Sequence, residues 1–152
     1  MKPFLILSLL FAFISCDNQS KLQREIKYRE QQQITNKKDL NQSKEDFYLL
    51  IETYEDYIQK FPEAPDAADV SYKLAKQWID HKKYDKALDL IDLIYEEYPK
   101  YEMAVEVLLL KGFLLENKLN RRKEAKMVYE KIIKSHPEHP LAKEAILLLK
   151  SL

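Results

Sequence analysis

Glycine is nearly missing from this chain: it occurs once in 152 residues, at Gly112. A phosphate-cradling loop or a dinucleotide fingerprint needs several glycines at fixed spacing, so nucleotide binding by those routes is excluded. Cysteine also occurs once, at Cys16, which leaves no disulfide within the chain and requires the fold to hold by packing alone. Neither sign of charge is in surplus, with 25 Lys and Arg against 25 Asp and Glu, so no basic footprint for nucleic acid is present. The one long apolar run, Phe4–Ile14, has 11 residues, whereas a helical membrane span takes about 20. No serine stands at a strand-to-helix elbow and no histidine shows triad logic with a carboxylate, which points away from an enzyme and implies no cofactor. His136 and His139 are three apart, but they flank prolines in a turn without cysteines, so no metal site is expected.

What is there is 46% apolar and 33% charged residues, the balance of a soluble globular domain. Abundant Leu, Lys, Glu and Ala with six prolines argue for helices joined by short proline-marked turns. The expected fold class is all-α.

Residues 1–16 read MKPFLILSLLFAFISC: a positive charge at Lys2, the apolar run, then a small residue before cysteine. This is the anatomy of an export signal occupying residues 1–15. The segment resembles bacterial lipoprotein signals, which end in Leu, a small residue, a smaller one and Cys; here Phe13, Ile14, Ser15 and Cys16 stand in those places. The resemblance implies a diacylglycerol on the Cys16 sulfur, removal of the signal and fatty acylation, such as palmitate, of the new amine. Stable membrane anchoring would follow, since each buried CH₂ contributes about 0.8 kcal/mol and more than one chain is present. The alternative is an ordinary secretory signal with Cys16 incidental.

From Asp17 to Ser43 the chain is polar and holds only five large apolar residues, Leu22, Ile26, Tyr28, Ile34 and Leu40. Such a segment buries too little to offset its ordering entropy. It reads as a flexible tether over residues 16–43, spanning roughly 30 Å as a coil; a helix around Leu22–Gln33, or a segment that folds on a partner, is the other reading.

Prolines expose an internal repeat over residues 44–152: Phe61-Pro62, Tyr98-Pro99 and His136-Pro137 recur at spacings of 37 and 38, a period of stacked helical hairpins. Upstream of each proline the same template fits, as Leu50 and Tyr54, Ala87 and Ile91, Ala125 and Tyr129. Ser71, Leu74, Ala75 and Trp78 keep the spacing of a first-helix signature. On these residues the chain resembles tetratricopeptide-repeat proteins. Helices are expected at about 44–60, 65–81, 84–97, 102–117, 122–135 and 139–151, giving about two and a half repeats. Gly112 to Ala125 is one residue longer than Ala75 to Ala87, which predicts an insertion near residues 117–122, and Lys111 stands where Leu is usual.

The resemblance implies a partner-binding face on the first helix of each hairpin. By register that face comprises Asp69, Tyr72, Lys76 and Ile79, then Glu106, Leu109 and Phe113; a stripe of plain core is the alternative. The basic carboxylate clamp of some chaperone-binding members is not evident, since only Lys76 would contribute. A second candidate interface is the last helix, where Leu141, Ile146, Leu147, Leu148, Leu149 and Leu152 form a broad apolar arc, fit to dock a partner or a second copy or else to pack onto helix 122–135.

Signal, tether and repeats together resemble periplasmic lipoprotein scaffolds of outer-membrane assembly, though those carry about five repeats. The implied function is a membrane-anchored protein–protein adaptor of the bacterial cell envelope, binding envelope proteins and lipid but no nucleic acid. A small-ligand or glycan-binding surface lipoprotein and a homodimeric structural protein are the alternatives. The location expected is a periplasmic or surface-exposed lipid anchor, with the outer membrane favoured.

Overall fold

The computed structural model describes the backbone over residues 3–36 and 40–152 and the side chains over residues 17–36 and 42–152. The chain is an all-α helical repeat fold of seven helices with no strand among the described residues. They are α1 (Pro3–Thr35), α2 (Leu40–Lys60), α3 (Ala67–Asp80), α4 (Tyr84–Glu97), α5 (Ala104–Asn117), α6 (Arg122–Ser135) and α7 (Pro140–Ser151). Two compact units are present, residues 1–70 and 71–152, with the boundary in the first turn of α3. Among the described residues no helix is long and apolar enough to cross a membrane.

The repeat is written first in the second helix of each hairpin. Leu50, Tyr54 and Tyr57 on α2, Ala87, Ile91 and Ile94 on α4, and Ala125, Tyr129 and Ile132 on α6 are all at most 1% exposed. Spacing of i, i+4, i+7 puts each triplet on one helical stripe. Fully burying a large apolar side chain contributes about 1.5–3 kcal/mol, so these stripes hold the hairpins shut.

The proline turns repeat as backbone geometry. In the first, Ala64 N–H donates to Phe61 C=O (3.1 Å) and Ala67 N–H to Ala64 C=O (3.0 Å). The same two bonds join 98, 101 and 104 at 2.9 and 3.0 Å, then 136, 139 and 142 at 3.0 and 2.9 Å. Each turn ends on a buried alanine, Ala67, Ala104 or Ala142. Proline cannot donate to a helical ladder and keeps the preceding residue out of the α region, so each second helix stops there.

The helices α3 to α6 are 14 residues each, and the extra residue of the third hairpin lies in its turn. Residues 81–83 join α3 to α4, whereas residues 118–121 join α5 to α6. Each turn holds one left-handed residue, Lys82 at φ 57 and Asn120 at φ 54. Asn tolerates that conformation through local hydrogen bonding, while Lys bears the steric cost of its Cβ. The single glycine also has a reason: α5 and α6 approach so closely that a Cβ on Gly112 would overlap the Tyr129 ring.

The unusual Lys111 is accommodated by α4, where its ammonium reaches both Asp92 carboxylate oxygens, one at 2.6 Å. Neither α4 nor α6 has a side-chain cap at its start. Arg121 instead bridges both beginnings, donating to Glu124 (2.6 Å) and Asp85 (3.2 Å). Its guanidinium, hydrogen-bonded to Glu124, holds that carboxyl below its usual range.

The expected flexible tether is corrected. Residues 17–35 are helical, and α1 packs on α2 as the first helix of a hairpin, giving three hairpins and a final helix. The low apolar content is offset by polar docking. Ile26 is buried, Gln19 and Gln23 donate to the Tyr57 hydroxyl (3.0 and 3.1 Å), and Gln23 also donates to Asp66 (2.8 Å). Tyr57 donates to Asp66 at 2.6 Å and Tyr54 to Glu30 at 2.7 Å. Hairpin α5–α6 uses the same device, with Tyr129 donating to Glu116 at 2.9 Å. Burial, then the carboxylate acceptor, pushes all three hydroxyls above the ordinary tyrosine pKa.

Candidate functional site

Of the first-helix positions, Asp69 is exposed and falls in the first unit; the others belong to the second. On α3, Tyr72 and Ile79 are half-buried and pack against the core of that unit. Lys76 is exposed, and its ammonium sits 4.7 Å from the centre of the Tyr72 ring, a cation–π contact that leaves one face of the ring covered. On α5, Leu109 is half-buried against the core while Phe113 is 44% exposed. The stripe is therefore in part plain core, and Phe113 is the residue that core packing does not account for.

Glu106 stands in the first turn of α5. One of its oxygens lies 3.9 Å from His139 Nε2, and the other is buried without a hydrogen-bond partner among the described residues. His139 is held in place from its other ring nitrogen, where Nδ1 accepts from the Leu141 N–H at 3.3 Å and caps α7. The second histidine is elsewhere engaged, His136 Nε2 meeting the Tyr95 hydroxyl at 2.9 Å. The two histidines thus serve as turn and cap residues, and no cluster of three or more metal-ligating side chains occurs among the described residues.

The apolar arc of α7 divides. Leu141, Leu148, Leu149 and Leu152 are half-buried against the core, whereas Ile146 and Leu147 are 37% and 67% exposed. Four of the six residues read as an interface are thus turned to packing. The side chain of Cys16 and the signal residues 1–15 lie outside the described side chains.

Sequence reasoning missed the clefts between α1 and α2, because it gave α1 no place in the fold. One, of about 590 Å³, is lined by Glu25, Glu52, Glu55 and Asp56 around Arg29, and Arg29 pairs with Glu25 at 2.7 Å. The other, of about 200 Å³, is lined by Arg29, Gln32, Asn36, Gln42 and Asp46. Its floor is a buried carboxylate, Asp46, which accepts from Asn36 (2.8 Å) and Gln42 (3.0 Å). The only signal that could have found them was the i, i+4 pair Leu22 and Ile26.

A family model described as tetratricopeptide repeat matches residues 106–139, from the first turn of α5 through α6 to the cap of α7. No curated protein and no solved structure matches the chain. Tetratricopeptide repeats generally mediate protein–protein interaction. With that match lying on one of three hairpins built to the same plan, the chain is an all-α helical repeat protein.

Proposed function

We propose that this protein is an adaptor of the bacterial cell envelope, anchored by lipid on Cys16 and binding another protein through the first-helix face of its second unit. The observation that carries the binding reading is Phe113, a large aromatic left 44% exposed beside half-buried Leu109. Aromatic side chains bury much area at little entropic cost, which is why they anchor interfaces. Tyr72 with its stacked Lys76 adds a mixed apolar and cationic rim. The anchoring reading rests on the signal anatomy of residues 1–16 and on the lone cysteine at its end.

A photo-crosslinking amino acid at residue 113, with a control at exposed Glu130 on α6, tests the face in intact cells. A discrete adduct from 113 and not from 130, lost on Tyr72→Ala, is expected; equal labelling from both, or none, removes the reading. Labelled palmitate incorporation that disappears in Cys16→Ser tests the anchor separately.

One observation favours a second reading, a small polar ligand. The cleft of about 200 Å³ brings the Asp46 carboxylate and several side-chain amides to one place, the convergent polar arrangement that such sites use. Retention of partner crosslinking in Asp46→Asn separates the two readings.

A further inference from the structure

The first helix sorts its charges. Glu25 and Arg29 pair with each other at 2.7 Å, and Glu30 accepts from the Tyr54 hydroxyl of α2 at 2.7 Å, so these three are used inside the first unit. Lys21, Arg24 and Lys27 are exposed, and none of them has an ion-pair partner among the described residues. At 100° per residue, Lys21, Arg24, Lys27, Tyr28 and Ile34 fall within one arc of about 140°, on the side of α1 away from buried Ile26. Asp17 is the one acid described within that arc. Like charges a turn apart weaken a helix, so the stripe calls for counter-charge from outside.

Charge and position choose the counter-surface. The other helix of the hairpin, α2, exposes Glu45, Glu52 and Glu55 against Lys44 and Lys60; the hairpin is cationic on α1 and acidic on α2. Residue 16 belongs to the α1 backbone and comes five turns before residue 34, which sets it within the cationic arc. Tyr28 and Ile34 add apolar surface there, 57% and 67% exposed.

We propose that this face of α1 lies on anionic phospholipid headgroups of the membrane that holds Cys16. Lys21, Arg24 and Lys27 meet the phosphates, while Tyr28 and Ile34 dip between them, the tyrosine with its ring in the apolar layer and its hydroxyl wet. The proposal rests on the anchor reading for its membrane and adds an orientation, with α1 along the surface and α2 away from it. Each Lys or Arg beside an anionic surface strengthens attachment about fivefold, and three give roughly a hundredfold.

A fluorescent amino acid at residue 31, in the middle of the arc, with a control at exposed Glu45 on α2, tests this in the full chain on vesicles carrying nitroxide-labelled lipid. Quenching is expected at 31 and little at 45 when about a third of the lipid is phosphatidylglycerol. At 31 it falls at least about threefold in phosphatidylcholine alone, in high salt, and in the triple variant Lys21→Gln, Arg24→Gln, Lys27→Gln. The three substituted residues are exposed, and circular dichroism confirms that the variant keeps its helices. Equal quenching at 31 and 45 overturns the proposal, as does quenching at 31 that ignores lipid charge. Absence of quenching at 31 on anionic vesicles overturns it too, and turns attention to an acidic protein as occupant. Palmitate labelling reads the anchor on its own, and its failure would leave the comparison between anionic and neutral vesicles standing.

Discussion

The ring of Tyr129 lies against Gly112, filling the space in which a Cβ would sit. At the equivalent register the preceding hairpin carries Ala75 with Ile91, both fully buried. A smaller side chain on one helix is thus matched by a larger one on the other. Gly112→Ala should therefore cost about 1–3 kcal/mol through overpacking, despite the roughly 1 kcal/mol that Ala gains over Gly in a helix. Adding Tyr129→Ile should recover part of that loss. Urea unfolding of the two single variants and the double variant measures the coupling, and additive losses would show that the contact is not the cause.

Tyr57 clamps α1. Its hydroxyl accepts from Gln19 and Gln23 and donates to Asp66, so Tyr57→Phe removes three hydrogen bonds at once and leaves Gln23 and Asp66 only the bond between them. A loss of about 1–3 kcal/mol is expected, with hydrogen-exchange protection falling in α1 while α5 and α6 keep theirs. Uniform loss of protection would mean that α1 docking is not separately sensitive.

Alkali should unfold the protein through its tyrosines. Burial and carboxylate acceptors raise the pKa of Tyr54, Tyr57 and Tyr129 in the folded state. Below the unfolded tyrosine value of about 10 both states hold the proton and stability is full. Above it the unfolded chain releases protons that the fold retains. Stability then falls by up to about 1.4 kcal/mol per pH unit for each such tyrosine. Denaturant midpoints between pH 8 and 11 should decline from about pH 10, and more gently in Tyr54→Phe measured against its own value at pH 8.

Lys82 holds a left-handed backbone at φ 57, a conformation that costs a side-chain-bearing residue about 1–2 kcal/mol. Lys82→Gly removes that cost and is expected to raise stability by about 0.5–1 kcal/mol, visible as a higher melting temperature. Asn120→Gly, at φ 54, should gain less, because Asn tolerates the region.

The sequence is most legible where helix periodicity and punctuation coincide. Helices 84–97 and 122–135 match α4 and α6 residue for residue, because an alanine, a large residue four places on and a proline mark each. The one-residue insertion was readable as a spacing, and the structure puts it in the turn at 118–121. What was not readable is whatever depends on a distant partner. Lys111 looks like a defect until Asp92 comes beside it. Residues 17–35 look like a tether because glutamines carry no hydrophobic signal, yet amides satisfy buried tyrosines as well as water does. For the candidate surface, register named Phe113 and Leu147, which are exposed, but could not separate them from Leu109, Leu148 and Leu149, which face the core; periodicity gives direction around a helix and not the depth of its neighbours.

The docking of α1 sets the protein's reach. As coil, residues 17–35 would let the domain roam through roughly 25 Å. As a helix held from Gln19 onward, the chain has only about 4.5 Å of rise between Cys16 and its first fixed contact. A lipid at that cysteine would therefore hold the first unit close against its membrane, next to whatever drifts along the same sheet of lipid.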